Sequence, residues 1–108
     1  MKTKNYNITG TTVTKILGAS DKVAAADPSM TISNIQASIA NVSVYYTKEN
    51  YIVAGNTTEN YYVLKSFAMA GYKTLTLDKT DFAFMNKGFD LNIVLSASGE
   101  KVDVIVNY

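Results

Sequence analysis

The residues best suited to chemistry in this sequence are aspartates that lie close together along the chain. The densest acidic site is Asp78-Lys79-Thr80-Asp81, and two carboxylates in one loop could hold Ca²⁺. The run lacks the ligand count and the glycine of an EF-hand loop. We therefore interpret it as a solvated β-turn in which an aspartate side chain bonds the local backbone.

Two further aspartate pairs could serve glycoside hydrolysis, which uses paired carboxyl groups. They are Asp21 with Asp27, and Asp90 with Asp103. A hydrolase also needs a groove that raises the pKa of one carboxyl group, and a small domain with short loops rarely builds one. We expect no catalytic residue among them.

Absent residue types exclude several classes of function. The 108 residues include no Arg, His, Cys or Trp, which excludes disulfides, Cys or His metal sites, a Cys nucleophile and a Ser-His-Asp triad. Ten lysines against nine acidic residues leave a formal charge of +1. A net charge this small creates no strong electrostatic field that would attract the chain to nucleic acid or anionic lipid. We expect no metal, no cofactor, no nucleic-acid partner and no membrane partner, and we find no targeting or membrane-spanning segment.

Tyrosine is abundant in this sequence, and its side chain is suited to contacts with other proteins or with sugars. Eight tyrosines occur, and Tyr45-Tyr46 and Tyr61-Tyr62 are adjacent pairs within predicted strands. Neighbours in a strand point to opposite faces, so each pair sends one ring outwards. An outward ring is ordinary surface, part of a protein interface, or a platform on which a sugar stacks.

Alternating apolar residues predict the strands that must position these side chains. The clearest pattern is a pair of alternating segments, 91–95 and 102–106, joined by Ala97-Ser98-Gly99-Glu100. With Ser98-Gly99 as a two-residue loop, the segments predict a β-hairpin whose apolar side chains share one face. The predicted core is Leu91, Ile93, Leu95, Val102, Val104 and Val106, packed with Val42, Val44, Leu75 and Leu77.

Shorter strand patterns occur along the rest of the chain. They cover 11–16, 31–36, 42–47, 51–53, 61–67, 73–77 and 82–84, with an αL turn at 86–88 and a loop at 20–30. About eight short strands separated by turn signals predict an all-β protein. We expect a single antiparallel β-sandwich or jelly-roll-like domain over residues 1–108, with residues 1–10 as a candidate extended N-terminal arm.

Two apolar residues interrupt the polar face of the predicted hairpin. Val94 and Ile105 lie among polar residues such as Asn92, and in the predicted register they are diagonal neighbours. Tyr45 has the same outward parity in its own strand. Scattered outward apolar residues are normal, so the face is either ordinary surface or covered by another layer or subunit. The second interpretation assigns Tyr45, Val94 and Ile105 to an oligomer or docking interface.

Several segments resemble small virion structural proteins of tailed bacteriophages. They are Phe67-Ala68-Met69-Ala70-Gly71-Tyr72-Lys73-Thr74-Leu75-Thr76-Leu77, Asn86-Lys87-Gly88-Phe89-Asp90-Leu91 and Ser96-Ala97-Ser98-Gly99-Glu100-Lys101-Val102-Asp103-Val104. In that family a Gly-Asp pair begins a strand, whereas here Phe89 separates Gly88 from Asp90. The segment 32–45 is similar to the family's early strands, more loosely. These likenesses consist of turn residues and strand pattern, not of a catalytic signature.

The resemblance implies a non-enzymatic role in the virion. Similar proteins are β-sandwich capsid decoration proteins, head fibres, and neck or tail accessory proteins. The implied partners are other virion proteins of the capsid, neck or tail and copies of the chain itself, in a homo-oligomer assembled in the host cytoplasm. A carbohydrate- or receptor-binding module of a head or tail fibre is the alternative, and a small enzyme is a third hypothesis.

Overall fold

The fold is all-β, as the sequence predicts. The computed structural model describes residues 2–21, 27–48, 60–81 and 88–108. Its strands are β1 (Thr3–Thr9), β2 (Thr14–Leu17), β3 (Ser29–Asn34), β4 (Ala40–Lys48), β5 (Tyr61–Met69), β6 (Thr74–Asp78), β7 (Phe89–Leu95) and β8 (Lys101–Asn107). The strands predicted at 51–53 and 82–84 lie outside the described residues, as do the first two residues of the 86–88 turn. Within the described ranges, no helix has the length and apolar character needed to cross a membrane.

The strands form two antiparallel sheets of four. The first sheet has the order β1-β8-β3-β6 and the second the order β2-β7-β4-β5. The pairs β1–β8, β2–β7, β3–β6 and β4–β5 describe one long antiparallel hairpin folded over on itself. This is the jelly-roll arrangement of a β-sandwich.

The core lies between the sheets and contains the residues that alternation predicts. Nine of the ten predicted core residues are buried, and Leu75 is half-buried against the same cluster. Ile8, Ile16, Met30 and Ile32 complete the packing from β1, β2 and β3. Period-two alternation works here because successive side chains of a strand point to opposite faces.

The predicted hairpin of the last two strands is wrong. β7 pairs with β2 and β4 in the second sheet, whereas β8 pairs with β1 and β3 in the first. The run 96–100 therefore crosses from one sheet to the other. A hairpin and two strands facing each other across a core have the same alternation, because both turn their apolar residues inwards. The pattern fixed which side chains are buried but not which strands pair.

Residues 2–10 do not form an extended arm. Residues 3–9 are β1, an edge strand of the first sheet, in continuous register with β8. Its inward residue Ile8 is buried in the core, and the hydroxyl of Tyr6 donates to the carbonyl of Ile16 in β2 at 2.6 Å. Both contacts hold β1 on the sandwich.

The outer faces of the two sheets differ. The first carries small polar side chains that bond one another across strands, such as Thr3 to Asn107 and Asn7 to Asp103. On the second, Thr47 and Asn92 are buried, and the Asn92 amide donates to the Thr47 hydroxyl at 3.0 Å. The expectation that Asn92 lies on a solvated face is therefore wrong.

Candidate interaction site

Four connections meet at one end of the sandwich. They are residues 10–13, 35–39, 70–73 and 96–100, and each joins a strand of one sheet to a strand of the other. Neighbouring strands in each sheet are antiparallel, so the end of one strand lies beside the start of the next. The four connections therefore lie at the same end of the sandwich. Loops gathered at one end of a rigid sandwich are where such folds carry binding residues. We call this the loop end.

Asn34 holds two of these connections together. The side chain is buried, and its Nδ2 donates to the carbonyls of Ser38 at 2.8 Å, Met69 at 3.1 Å and Ala70 at 3.2 Å. Its Oδ1 accepts from the backbone N–H of Gln36 at 3.1 Å. One amide therefore ties 35–39 to the end of β5, and both connections are fixed in place.

The 70–73 turn sits directly against the 35–39 connection. A Cβ on Gly71 would lie 2.0 Å from the carbonyl oxygen of Ala37, so only glycine fits this approach. The next residue, Tyr72, has a φ of 56° and donates its N–H to the carbonyl of Gln36. A left-handed conformation is costly for a residue with a side chain, yet it is here occupied by a tyrosine whose side chain is exposed.

Glu100 fixes the 96–100 connection. The residue is buried, and its carboxylate accepts from the N–H of Asn41 at 2.7 Å, the Ser96 hydroxyl at 2.8 Å and the N–H of Ala97 at 2.8 Å. Burial alone would raise the pKa of this carboxyl group, but the hydrogen bonds from Asn41, Ser96 and Ala97 together lower it. Glu100 is thus an ionised side chain that holds the 96–100 connection in place by its hydrogen bonds.

The braced loops display apolar side chains to solvent. Tyr72 is 72% exposed, Ile39 58% and Ile35 44%, and Val13 is exposed on the neighbouring connection. Single exposed apolar residues are common. Here three of them belong to two connections that bond each other, and a backbone that is already fixed loses little conformational freedom when a partner covers it. The loop end therefore presents exposed apolar side chains on connections that are fixed by internal hydrogen bonds.

Tyr45 is not part of an exposed contact surface, which corrects the sequence-based assignment. Its outward parity is as predicted, but the residue is only 3% exposed. Its ring centroid lies 5.3 Å from that of Tyr62 on the adjacent β5. Burial, and secondarily the neighbouring Tyr62, raise the pKa of Tyr45. It is Tyr62 that is exposed at this position.

Val94 and Ile105 lie on outer faces, but not on the same one. Val94 belongs to β7 in the second sheet, is half-buried and pairs with Ser43. Ile105 belongs to β8 in the first sheet, is 46% exposed and lies between Asn5 and Thr31. The prediction that they are diagonal neighbours is wrong, because it depended on the β7–β8 hairpin.

The carboxylates of the densest acidic site form hydrogen bonds within their own turn. In the 78–81 turn, Asp78 Oδ1 accepts from the N–H and hydroxyl of Thr80 at 2.8 and 2.6 Å, and the N–H of Asp78 donates to Asp81. This confirms the predicted turn. The described residues contain no group of three or more His, Cys, Asp or Glu placed to hold a metal ion.

In neither of the two aspartate pairs considered for hydrolysis do the two carboxylates share a site. Asp21 bonds Lys4 at 2.9 Å and Asp27 bonds Lys79 at 2.9 Å. Asp90 and Asp103 lie in different sheets. The side-chain bond from Lys4 lowers the pKa of Asp21 against a smaller opposing effect of desolvation. Asp21 and Asp27 therefore pair with lysines. Asp90 accepts from the backbone N–H of Ala19, and Asp103 accepts from the side-chain amide of Asn7.

Sequence reasoning did not single out Asn34, Gly71 or Glu100. Asn34 lies within the predicted strand at 31–36, and Glu100 directly follows the predicted Ser98-Gly99 loop, positions where single polar residues are ordinary. Gly71 lies in the turn between β5 and β6, where glycine is also common. The need for glycine comes from the approach of Ala37, which lies far away along the chain.

Comparison with known proteins adds no relative: no protein-family model, no curated protein and no solved structure matches this chain.

Proposed function

We propose that this protein is a non-enzymatic structural subunit of a tailed-phage virion, a capsid decoration or accessory protein that docks through its loop end. The observation that carries the proposal is the exposure of Ile39 and Tyr72 on connections braced by Asn34. The jelly-roll order adds support by analogy, since this fold is used by viral capsid domains and also by lectins.

The virion assignment is tested on particles from the source of the sequence. Mass spectrometry of purified particles should find the chain, and electron microscopy should find it in symmetric copies with the loop end against a neighbouring protein. Its absence from intact purified particles would overturn the assignment.

The docking surface is tested with particles depleted of the protein. Covering an isoleucine contributes about 1.5 to 3 kcal/mol, so Ile39→Asp should weaken rebinding by about tenfold or more. The matched control is Thr76→Asp, which places the same charge on the exposed outer face of β6. Equal rebinding of both variants would contradict docking through the loop end.

Ile105 is a second candidate contact in the same assembly, as the sequence analysis proposes. It is the apolar member of a polar outer face, between Asn5 and Thr31. Ile105→Lys should leave the melting temperature of the isolated chain within a few degrees and weaken oligomerisation or docking. Unchanged assembly would remove Ile105 from the contact; Val94 lies in the other sheet and is not tested by this variant.

A carbohydrate- or receptor-binding module is the alternative function, favoured by the aromatic end of β5. Tyr61 and Tyr62 are both exposed, and the Asn60 amide donates to the Tyr62 hydroxyl at 3.2 Å. Aromatic rings with adjacent amides are suited to stacking on and bonding sugars. A glycan array separates the two functions: saturable binding that is lost in Tyr62→Ala would favour this alternative.

A further inference from the structure

β1 presents a row of backbone groups at an unpaired edge. Lys2 and Tyr108 exchange both backbone hydrogen bonds, and the N–H of Gly10 donates to Glu100. In an antiparallel pair such positions alternate, so the even-numbered residues of β1 bond β8. The N–H and C=O groups of Thr3, Asn5, Asn7 and Thr9 consequently point away from the sheet, and no described strand pairs with them.

The other three described edge strands are shorter or interrupted. β2 has four residues and a register shift, and β6 has five. β5 is long but bulged: Ser66 has a φ of 49° and gives its N–H to the Ser43 hydroxyl. Short edges and bulges are the devices that prevent strands from pairing with another chain.

β1 lacks these devices. It pairs with β8 over seven consecutive positions without a shift, and it contains no proline. Its one charge, Lys4, is turned to its own chain, where the ammonium bonds Asp21 at 2.9 Å and lies 5.5 Å from the centre of the Tyr108 ring. An exposed, regular edge of this length is a template for another strand.

The outward residues of β1 are symmetric about Tyr6. Reading from either end, they are Thr, Asn, Asn and Thr, at positions 3, 5, 7 and 9. An antiparallel pair of two β1 strands with the two-fold axis at Tyr6 opposes Asn5 to Asn7 of the second copy, and Thr3 to Thr9. Within the described part of the chain, no strand pairs with the outward backbone groups of these residues, so each opposed pair can exchange both hydrogen bonds.

The same register brings no like charges together. Lys4 opposes Ile8 of the second copy, and Tyr6 opposes its own equivalent. Cross-strand Thr–Thr pairs are favourable, and two opposed Asn amides can each donate to and accept from the other. A two-fold interface requires that each residue meet its reciprocal partner. The strand can therefore pair with a second copy of itself: the opposed residue types match, no like charges meet, and the outward backbone groups face each other.

We propose that two copies of this chain associate through β1, forming one continuous sheet of eight strands with the order β6-β3-β8-β1-β1-β8-β3-β6. This interface is separate from the loop end and does not rest on the proposed function. It places Ile105, which neighbours Asn5 on β8, one strand away from the two-fold axis on each side.

The mass of the full chain in solution tests the proposal. Sedimentation equilibrium should give a mass that rises with concentration from 11.8 kDa for one chain towards twice that value. Asn5→Pro removes an N–H that the chain itself does not use, and proline is tolerated on the solvent side of an edge strand. We expect this variant to stay monomeric while retaining the β-sheet circular dichroism of the wild type.

The matched control is Thr76→Pro on the edge strand β6. The bond from the Asn34 N–H to the Lys73 carbonyl and the β3–β6 register leave the N–H of Thr76 pointing to that free edge. This variant should dimerise like the wild type. A wild type that remains monomeric at its highest soluble concentration overturns the proposal, and so does an Asn5→Pro variant that still dimerises.

Engineered cysteines test the register without proline, in a chain that has no cysteine of its own. The opposed Asn5 and Asn7 positions have Cα atoms about 5.5 Å apart in such a pair, within disulfide reach. Asn5→Cys mixed with Asn7→Cys should form a covalent dimer on mild oxidation. Asn5→Cys alone should not, because its equivalents are about two residues apart along the strands. Cross-linking of Asn5→Cys alone, or none in the mixture, overturns the register.

Discussion

Asn34 and Glu100 hold the loop end through hydrogen bonds made by buried side chains. Both residues are buried, and each accepts or donates at three or more positions on neighbouring connections. A buried polar group without its partner costs about 1 to 3 kcal/mol. The positions of Ile39 and Tyr72 therefore depend on Asn34, whose side chain is itself buried.

Glu100→Gln should lower the free energy of unfolding by about 1 to 3 kcal/mol. Both carboxylate oxygens accept from N–H or O–H donors, so an amide NH₂ at either position opposes a donor. Urea denaturation measures the change. Asp27→Asn is the control, because its carboxylate is 84% exposed and surface ion pairs contribute little. Equal effects of the two substitutions would contradict the bracing role of Glu100.

The stability of the fold should decrease in acid because Glu100 and Asp21 become protonated. The folded-state pKa values of Glu100 and Asp21 lie below the ordinary 4.5 and 3.8. Groups with a lowered folded pKa stabilise the fold above their unfolded pKa, and this contribution disappears as the pH falls through the folded value. The melting temperature should thus be level above about pH 5 and fall below it. The difference between the wild type and Glu100→Gln should shrink over the same range; a constant difference would exclude an ionised Glu100.

Gly71→Ala should destabilise the chain by about 1 to 3 kcal/mol through overpacking. The added carbon would meet the backbone of Ala37, which cannot move without breaking the bonds of Asn34. Gly99→Ala is a matched control, since nothing lies within 4 Å of a Cβ at that position. Thermal melts of the two variants measure the difference, and similar melting temperatures would contradict the close approach.

At the scale of the elements, the inward residues of the paired strands dominate stability. Ile93 in β7 is fully buried between β2 and β4. Ile93→Ala should lower the free energy of unfolding by about 2 to 5 kcal/mol, whereas Ile35→Ala on an exposed connection should change it by less than about 0.5 kcal/mol. Chemical denaturation compares the two, and a small loss at Ile93 would mean that the core is not tightly packed there.

The 78–81 turn after β6 should not require a metal ion. Its carboxylates bond the turn's own backbone and the Thr80 hydroxyl. A ligand that binds only the folded state raises its stability, so a chelator should leave the melting temperature unchanged. A fall of many degrees in chelator, reversed by Ca²⁺, would assign a metal site to this turn.

At the scale of the whole molecule, the proposed docking surface and the proposed dimer interface are separate surfaces. The loop end displays apolar side chains, whereas the β1 edge offers backbone hydrogen bonds. A subunit with both surfaces could pair through one and dock through the other, and many weak contacts act together in a symmetric particle. The Asn5→Pro and Ile39→Asp variants separate these contributions, since each removes one surface alone.

The sequence alone determined the all-β class, the burial of the core and the turn at 78–81. Alternation is a local property: every second side chain of a strand faces the same way, so Ile93 and Val104 could be assigned to the core without knowing their partners. The 78–81 turn is likewise set by aspartate side chains that bond backbone within three residues.

Only the tertiary structure decided which strands pair and which outward residues remain exposed. Alternation is identical for a hairpin and for two strands facing across a core, so the sequence could not separate β7 from β8. Tyr45 and Asn92 have outward parity, yet both are buried. The need for glycine at position 71 arises from Ala37, and the free edge of β1 from its place beside β8. These properties depend on contacts between residues far apart in the chain, which no local pattern encodes.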